Sequence, residues 1–285
     1  MANLKEIRNR ITSVSSTMQI TSAMKMVSAA KLKKAQDAIT AMRPYAEKLT
    51  ELLQNLSSSI EDGDSGVYTA QREVKRVLVV AITSNRGLCG AFNTNVIKEV
   101  KNRIDFYSGK KVAVFAIGKK GNDVLSKTNS VVANKSQVFD QLTFDNVAQI
   151  AEEIMAVYAA GEYDRVELVY NQFKNAATQI VRTEQFLPLV SSGAKQNNSV
   201  DYLFEPEKES IIETLIPKSL KTQLYKAVRD SFAAEHGARM TAMHKATDNA
   251  TELRNQLKLT YNKARQAAIT NEILEIVGGA EALKG

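Results

Sequence analysis

The run Thr83-Ser84-Asn85-Arg86-Gly87-Leu88-Cys89-Gly90 is the first place where residue type and spacing could do chemistry. It follows an apolar stretch and precedes a helical one, and a glycine-bearing turn of that kind can cradle phosphate at a helix N-terminus. It lacks the Gly-x-Gly-x-x-Gly spacing of dinucleotide folds and the Gly-Lys-Ser/Thr ending of a P-loop, so tight-turn packing is the better account. Cys89, the one cysteine in the chain, would need a base to act as a nucleophile. The two histidines, His236 and His244, fall in a helical segment near the C-terminus, away from the strand ends. Cys89 is therefore expected to be a small buried residue, and two histidines with no third ligand nearby make a poor metal site.

Gly118-Lys119-Lys120-Gly121 has the form of the Gly-x-x-Gly loop that clamps RNA backbone. No cluster of aromatics accompanies it to stack bases, so a strand-to-helix turn with solvated lysines is preferred. The stretch Met24-Lys25-Met26 fits two accounts equally: an adaptable methionine-rich binding surface, or ordinary core at helical spacing.

Elements that could position such groups follow from pattern. No Gly or Pro occurs from Met1 to Arg43, and Leu4, Ile7, Ile11, Val14 and Met18 alternate spacings of 3 and 4. After a less regular stretch, Leu32, Ala35, Ile39, Met42, Ala46, Leu49, Leu53, Leu56 and Ile60 resume the alternation. That is the apolar stripe of a coiled coil. Pro44 lies within it as a possible kink, and residues 61–66 have loop composition. A second long helix is predicted from Pro206 or Glu207 onward, interrupted early by Pro217. Its stripe is read as Met243, Ala246, Ala250, Leu253, Leu257, Thr260, Ala264 and Ala267, small residues that allow close helix approach.

Between the helices the pattern alternates. Strands are predicted at Val74–Thr83, Lys111–Ile117, Val131–Phe139, Val166–Phe173 and Gln179–Leu187. Helices are predicted at Ala91–Tyr107, Gly118–Lys127 and Asp145–Ala160, and a polar surface loop at Ser191–Ser199. The fold class is thus α/β: a central open, Rossmann-like α/β domain, with N- and C-terminal helices forming an antiparallel rod. Three segments follow: a coiled-coil helix over 1–62, the α/β domain over 74–190, and a second coiled-coil helix over 207–285.

The chain has 285 residues, 44% of them hydrophobic, and a formal net charge of +7. That composition is not a disordered one. No stretch of about 18 apolar residues would span a membrane. The N-terminal Met-Ala-Asn-Leu-Lys-Glu has no apolar signal core and reads as mature cytosolic sequence. The positive charge would suit nucleic acid, anionic lipid or an acidic protein partner. Its densest group is Lys25, Lys31, Lys33, Lys34 and Arg43.

Three motifs carry a family resemblance. They are Leu4 to Ile11 continuing through Gln19 to Lys31, the turn Arg86-Gly87-Leu88-Cys89-Gly90, and the run Tyr261 to Ile273 followed by Glu275-Ile276-Val277-Gly278-Gly279-Ala280. In order and over the whole chain, these resemble the gamma subunit of F-type ATP synthases. The resemblance implies a non-catalytic central rotor stalk of a proton-translocating complex, with no cofactor of its own. Its partners would be a ring of alternating alpha and beta subunits, the epsilon subunit and the membrane c ring. It implies a peripheral place on the cytoplasmic face of a bacterial plasma membrane.

Matched position by position, the resemblance puts Arg265 and Gln266 against a loop of beta, and Met24 and Lys25 against its acidic lever segment. Ile273, Ile276, Val277 and Leu283 would form an apolar tip in a bearing, and Tyr202, Phe204 and Glu205 a foot segment at the c ring. The chloroplast members carry an inserted pair of regulatory cysteines, and with Cys89 alone that switch is absent. The competing readings are an RNA-binding module built on Gly118–Gly121 and the basic helix, and a dinucleotide enzyme, the latter disfavoured by its broken glycine pattern.

Overall fold

The computed structural model describes residues 4–57, 67–189 and 208–282. Helix α1 spans Leu4–Ser57. Strand β1 (Arg76–Ile82) leads to α2 (Phe92–Phe106), β2 (Lys111–Ile117) to α3 (Lys119–Leu125), and β3 (Val131–Asn134) to a 3-10 turn over Ser136–Phe139. Helix α4 (Phe144–Ala159), the strands β4 (Arg165–Phe173) and β5 (Gln179–Leu187), and helix α5 (Lys208–Ala282) complete the order.

The strands form one sheet in the order β3-β2-β1-β4-β5. β1 lies parallel to both β2 and β4, and β5 closes one edge antiparallel to β4. Alternate residues of a strand face opposite sides of a sheet. On β1, Leu78, Val80 and Ile82 pack with Ile150, Ile154 and Tyr158 of α4 and with Leu220, Leu224 and Val228 of α5. Val77, Val79 and Ala81 face Val96, Val100 and Tyr107 of α2 and Leu125 of α3. Helices on both faces explain why this strand reads as an unbroken apolar run.

Four sequence expectations about the elements need correction. The third strand stops at Asn134, five residues short of Phe139, because the Asn134 side chain accepts the Ser136 amide and turns the backbone into the 3-10 segment. The helix expected over Gly118–Lys127 is confined to Lys119–Leu125. Pro217 does not interrupt α5, and α1 likewise continues through Pro44. A proline inside a helix costs about 3 kcal/mol. Ile216 and Leu220 around Pro217, and Ile39 and Leu49 around Pro44, are buried and offset that cost at about 1.5–3 kcal/mol each. Ile60, residues 61–66 and the polar segment 191–199 lie outside the described residues.

The chain divides into two compact units, Ala29–Arg239 on one hand and Met1–Ser28 with Met240–Gly285 on the other. The second is a helix pair. Arg8 donates to the Tyr261 hydroxyl at 2.8 Å, Thr251 meets the Met18 sulfur at 3.3 Å, and the Thr21 and Thr247 hydroxyls lie 2.8 Å apart. One residue number rises as the other falls, so the two segments run antiparallel, as expected. The fourth correction falls here. In the part of α5 that belongs to the helix pair, Met243 and Ala250 are buried and Ala246, Thr247, Thr251, Arg254, Leu257, Tyr261 and Ala264 are half-buried, while Leu253, Thr260 and Ala267 of the expected stripe are exposed. Thr247, Arg254 and Tyr261 hold seam positions because their polar groups meet Thr21, Met18 and Arg8 of α1.

Candidate functional site

In an open α/β sheet, ligands bind outside the carboxyl ends of the strands where the strand order reverses, here between β1 and β4. The turn after β1 occupies that place. Ser84 donates its amide to Asn93 Oδ1 at 3.0 Å and its hydroxyl to the Arg86 carbonyl at 2.7 Å. Cys89 is buried, and burial pushes its thiol up, so it stays protonated. Leu88 holds a left-handed backbone (φ 62°) with its side chain 64% exposed. That conformation is costly for a branched residue without a special environment.

The Gly-x-x-Gly turn is spent internally. The Lys119 amide donates to Asn85 Oδ1 at 3.0 Å, the Lys120 amide to the Ser84 carbonyl at 3.0 Å, and the Gly121 amide to Thr83 Oγ1 at 2.9 Å. A Cβ on Gly118 would sit 2.1 Å from the Thr83 carbonyl oxygen, and one on Gly121 2.7 Å from Thr83 Oγ1. These glycines serve close approach of two turns, and three amides that would hold a phosphate are already committed. This removes the Gly-x-x-Gly turn as a support of the RNA-binding reading.

The crevice itself is filled by α5. Ala234 packs with Cys89 and Phe92, alongside Phe173 and Ala238. A Cβ on Gly237 would stand 3.3 Å from the Ala176 backbone, a tight contact that glycine spares where the helix lies against the β4–β5 hairpin. Contrary to the sequence expectation, His236 is therefore at the strand ends, whereas His244 is exposed and pairs with Asp248 at 3.2 Å. Arg239, only 6% exposed, binds Glu235 at 2.7 Å and donates to the Arg86 carbonyl at 3.0 Å and the Gly87 carbonyl at 3.2 Å. Its remaining nitrogen meets His236 Nδ1 at 3.3 Å.

A guanidinium only donates, so Nδ1 is the acceptor and the imidazole proton sits on Nε2. Nε2 is buried without a hydrogen-bond partner among the described residues. Burial, then the charges of Arg239 and Lys31, push the His236 pKa down to about 3. Burial raises the Glu235 carboxyl, against the pull of Arg239. Arg239 was missed in the sequence. The available signal was its four-residue spacing from Glu235 within Glu235-His236-Gly237-Ala238-Arg239.

In the helix pair, Met24 and Lys25 are half-buried and Arg265 and Gln266 are exposed. Ile273, Ile276 and Val277 are exposed, Ile276 at 66%, and Ile269 and Leu274 join them. On α1, Met26 of the methionine-rich stretch is exposed, and Ile20 and Val27, which the sequence reading did not single out as a surface, are exposed with it. Leu283, Tyr202, Phe204 and Glu205 lie outside the described residues. Among the described residues, no helix is long and apolar enough to cross a membrane.

A crevice filled from within and helices bearing exposed apolar residues fit a subunit that docks on partner proteins. Known proteins give the family. The sequence pattern of the family described as ATP synthase matches residues 3–283. The chain is 80% identical to the ATP synthase gamma chain of Flavobacterium psychrophilum and 78% to that of Flavobacterium johnsoniae, over the full length of both chains in each case. Among solved structures, the central stalk and c-ring of the Tetrahymena thermophila mitochondrial ATP synthase matches at 28% identity and a TM-score of 0.59, covering 80% of this chain and 99% of that one. A Euglena gracilis mitochondrial ATP synthase chain shares the fold at a TM-score of 0.72 and 23% identity, covering 98% of this chain and 94% of that one. The chain belongs to the gamma-chain family of ATP synthases.

Proposed function

We propose that this chain is the central rotor stalk of a bacterial F-type ATP synthase, a non-catalytic subunit that couples rotation of the membrane c ring to conformational cycling of the catalytic beta subunits. Whole-length identity to bacterial gamma chains carries this reading. The helix pair stands inside the ring of alternating alpha and beta subunits. Ile273, Ile276, Val277 and Leu283 form a tip that turns in an apolar sleeve, where no directional bonds pin one angle. The exposure of Ile273, Ile276 and Val277 in the free chain supports that role.

Arg265 and Gln266 meet a loop of beta through charge-assisted hydrogen bonds. Lys25, with Met24 beside it, faces an acidic segment of beta. Tyr202, Phe204 and Glu205 meet the c ring, and the epsilon subunit binds near them. The assembled protein is peripheral, on the cytoplasmic face of the plasma membrane.

Co-expression with the alpha and beta subunits, followed by gel filtration and an ATPase assay, tests the assignment. A stable complex with one copy of this chain, and turnover that depends on it, is expected. Assembly and turnover of alpha and beta without this chain would remove the reading.

A further inference from the structure

Three observations meet at the end of the sheet. Leu88 is a bulky residue in left-handed backbone. Such strain persists only where the surroundings over-determine it. The carbonyls of Arg86 and Gly87, just before it, are both held by Arg239. Arg239 is itself fixed on three sides: by Glu235 at 2.7 Å, by His236 Nδ1 at 3.3 Å, and by burial. A buried guanidinium whose donors all go to a carboxylate, an imidazole and two backbone carbonyls has no spare freedom.

We propose that Arg239 is a positioning residue for rotary coupling, a latch that fastens α5 to the Arg86–Gly90 turn so that helix and sheet turn as one body. The proposal rests on the rotor reading above. Arg239 is the last residue of the sheet-containing unit, and α5 continues beyond it without a break. A twist applied to the helix at this point is resisted in two ways. Apolar packing of Ala234 against Cys89 and Phe92 is non-directional and slides under shear. The Arg239 bonds are directional, and they fix the angle of the helix against the turn. Gly237 permits the close approach, and Glu235 neutralises the charge that the latch brings into the interior.

The latch carries its own reporter, since Cys89 lies in the fastened turn and is the one cysteine of the chain. The test uses the assembled complex in membrane vesicles. It measures thiol labelling at Cys89 by mass spectrometry, ATP hydrolysis without a gradient, and ATP-driven proton pumping. In Arg239→Gln, loss of the charged donors should speed Cys89 labelling about tenfold or more. Pumping should fall further than hydrolysis does. Adding Leu88→Gly removes the strain that the latch restrains, so it should slow labelling again in the Arg239→Gln background. If Arg239→Gln does not assemble, Arg239→Lys keeps the charge without the fork, and the same three readouts apply.

Unchanged Cys89 labelling in the variant would overturn the latch. Faster labelling with a wild-type ratio of pumping to hydrolysis would overturn its role in coupling. A wild-type complex that does not couple at all would instead count against the rotor reading, and the labelling result would still judge the latch.

Discussion

The hydroxyls of Thr21 and Thr247 sit 2.8 Å apart across the helix pair, and each also lies near a carbonyl of its own helix. Thr247 Oγ1 donates to the Met243 carbonyl at 2.8 Å. Thr21 Oγ1 lies farther from its own acceptor, the Met18 carbonyl, at 3.1 Å, so the geometry favours Thr21 as the donor across the seam. The geometry forecasts an asymmetric mutant cycle. Thr21→Val leaves Thr247 satisfied by its own carbonyl and should cost only about 0.5–1.5 kcal/mol. The pair Thr21→Val with Thr247→Val replaces both polar partners by groups of the same shape and should recover most of that loss. Denaturation of the two single variants and the double gives the coupling energy. Strictly additive losses would mean that the cross-helix bond contributes nothing.

Glu167 is a buried carboxylate on a strand, and Arg103 of α2 grips it with two bonds, from Nε at 2.8 Å and Nη2 at 2.7 Å. The Tyr107 hydroxyl donates a third, at 2.5 Å. The hydrogen bond to Glu167 raises the Arg103 pKa, so the guanidinium stays charged throughout. Removing one partner of such a pair leaves an uncompensated buried charge. Arg103→Met should therefore destabilise the α/β unit by about 2–4 kcal/mol, the lower part of the usual range being allowed for because Arg103 is partly exposed. Urea unfolding followed by circular dichroism measures it, and a loss below about 1 kcal/mol would show the pair to be no more than a surface contact.

These two features differ in how far the sequence discloses them. The run Val77 to Ile82 announces a strand buried on both faces, and the antiparallel course of the helices follows from the order of segments. Glu167 inside Val166-Glu167-Leu168-Val169 looks like a misplaced charge until α2 supplies Arg103, sixty-four residues earlier in the chain. The stripe of α5 misleads for a related reason. Leu253 and Ala267 are apolar and correctly spaced, yet the seam takes Thr247, Arg254 and Tyr261, whose partners Thr21, Met18 and Arg8 lie at the other end of the chain. Polarity read along a helix does not report such partners. The filled crevice is hidden in the same way: the turn after β1 has the look of a phosphate loop, and only packing brings Arg239 onto it.

Leu257 lies half-buried in the seam between Arg254 and Tyr261, both of which bond to α1. Leu257→Pro removes a helix donor and sets its ring against the preceding turn, at a cost of about 3 kcal/mol or more. Assembled complexes carrying it should hydrolyse ATP with reduced or absent proton pumping. The ratio of the two, measured in inverted membrane vesicles, is the readout. Full coupling would mean that an intact helix at Leu257 is not needed to carry torque.

His236 makes the stability of the α/β unit sensitive to acid. Its pKa falls from the usual 6.5 to about 3 in the folded chain, because burial and the facing charges of Arg239 and Lys31 disfavour the imidazolium. Between those two values the unfolded chain binds a proton that the folded chain does not. Stability from this group is therefore complete above pH 6.5 and is lost as pH falls toward 3, at on the order of 1.4 kcal/mol per pH unit. Glu235 acts in the opposite sense, since its raised pKa favours proton uptake by the folded form on acidification. Comparison with His236→Gln isolates the histidine, because glutamine can accept from Arg239 but does not titrate. The stability of the wild type relative to His236→Gln should decline steadily from pH 6.5 to pH 5, as read from urea unfolding at each pH. A difference that stays constant across that range would show that the buried imidazole accepts a proton in the folded state, and with it that Arg239 does not hold the neutral tautomer.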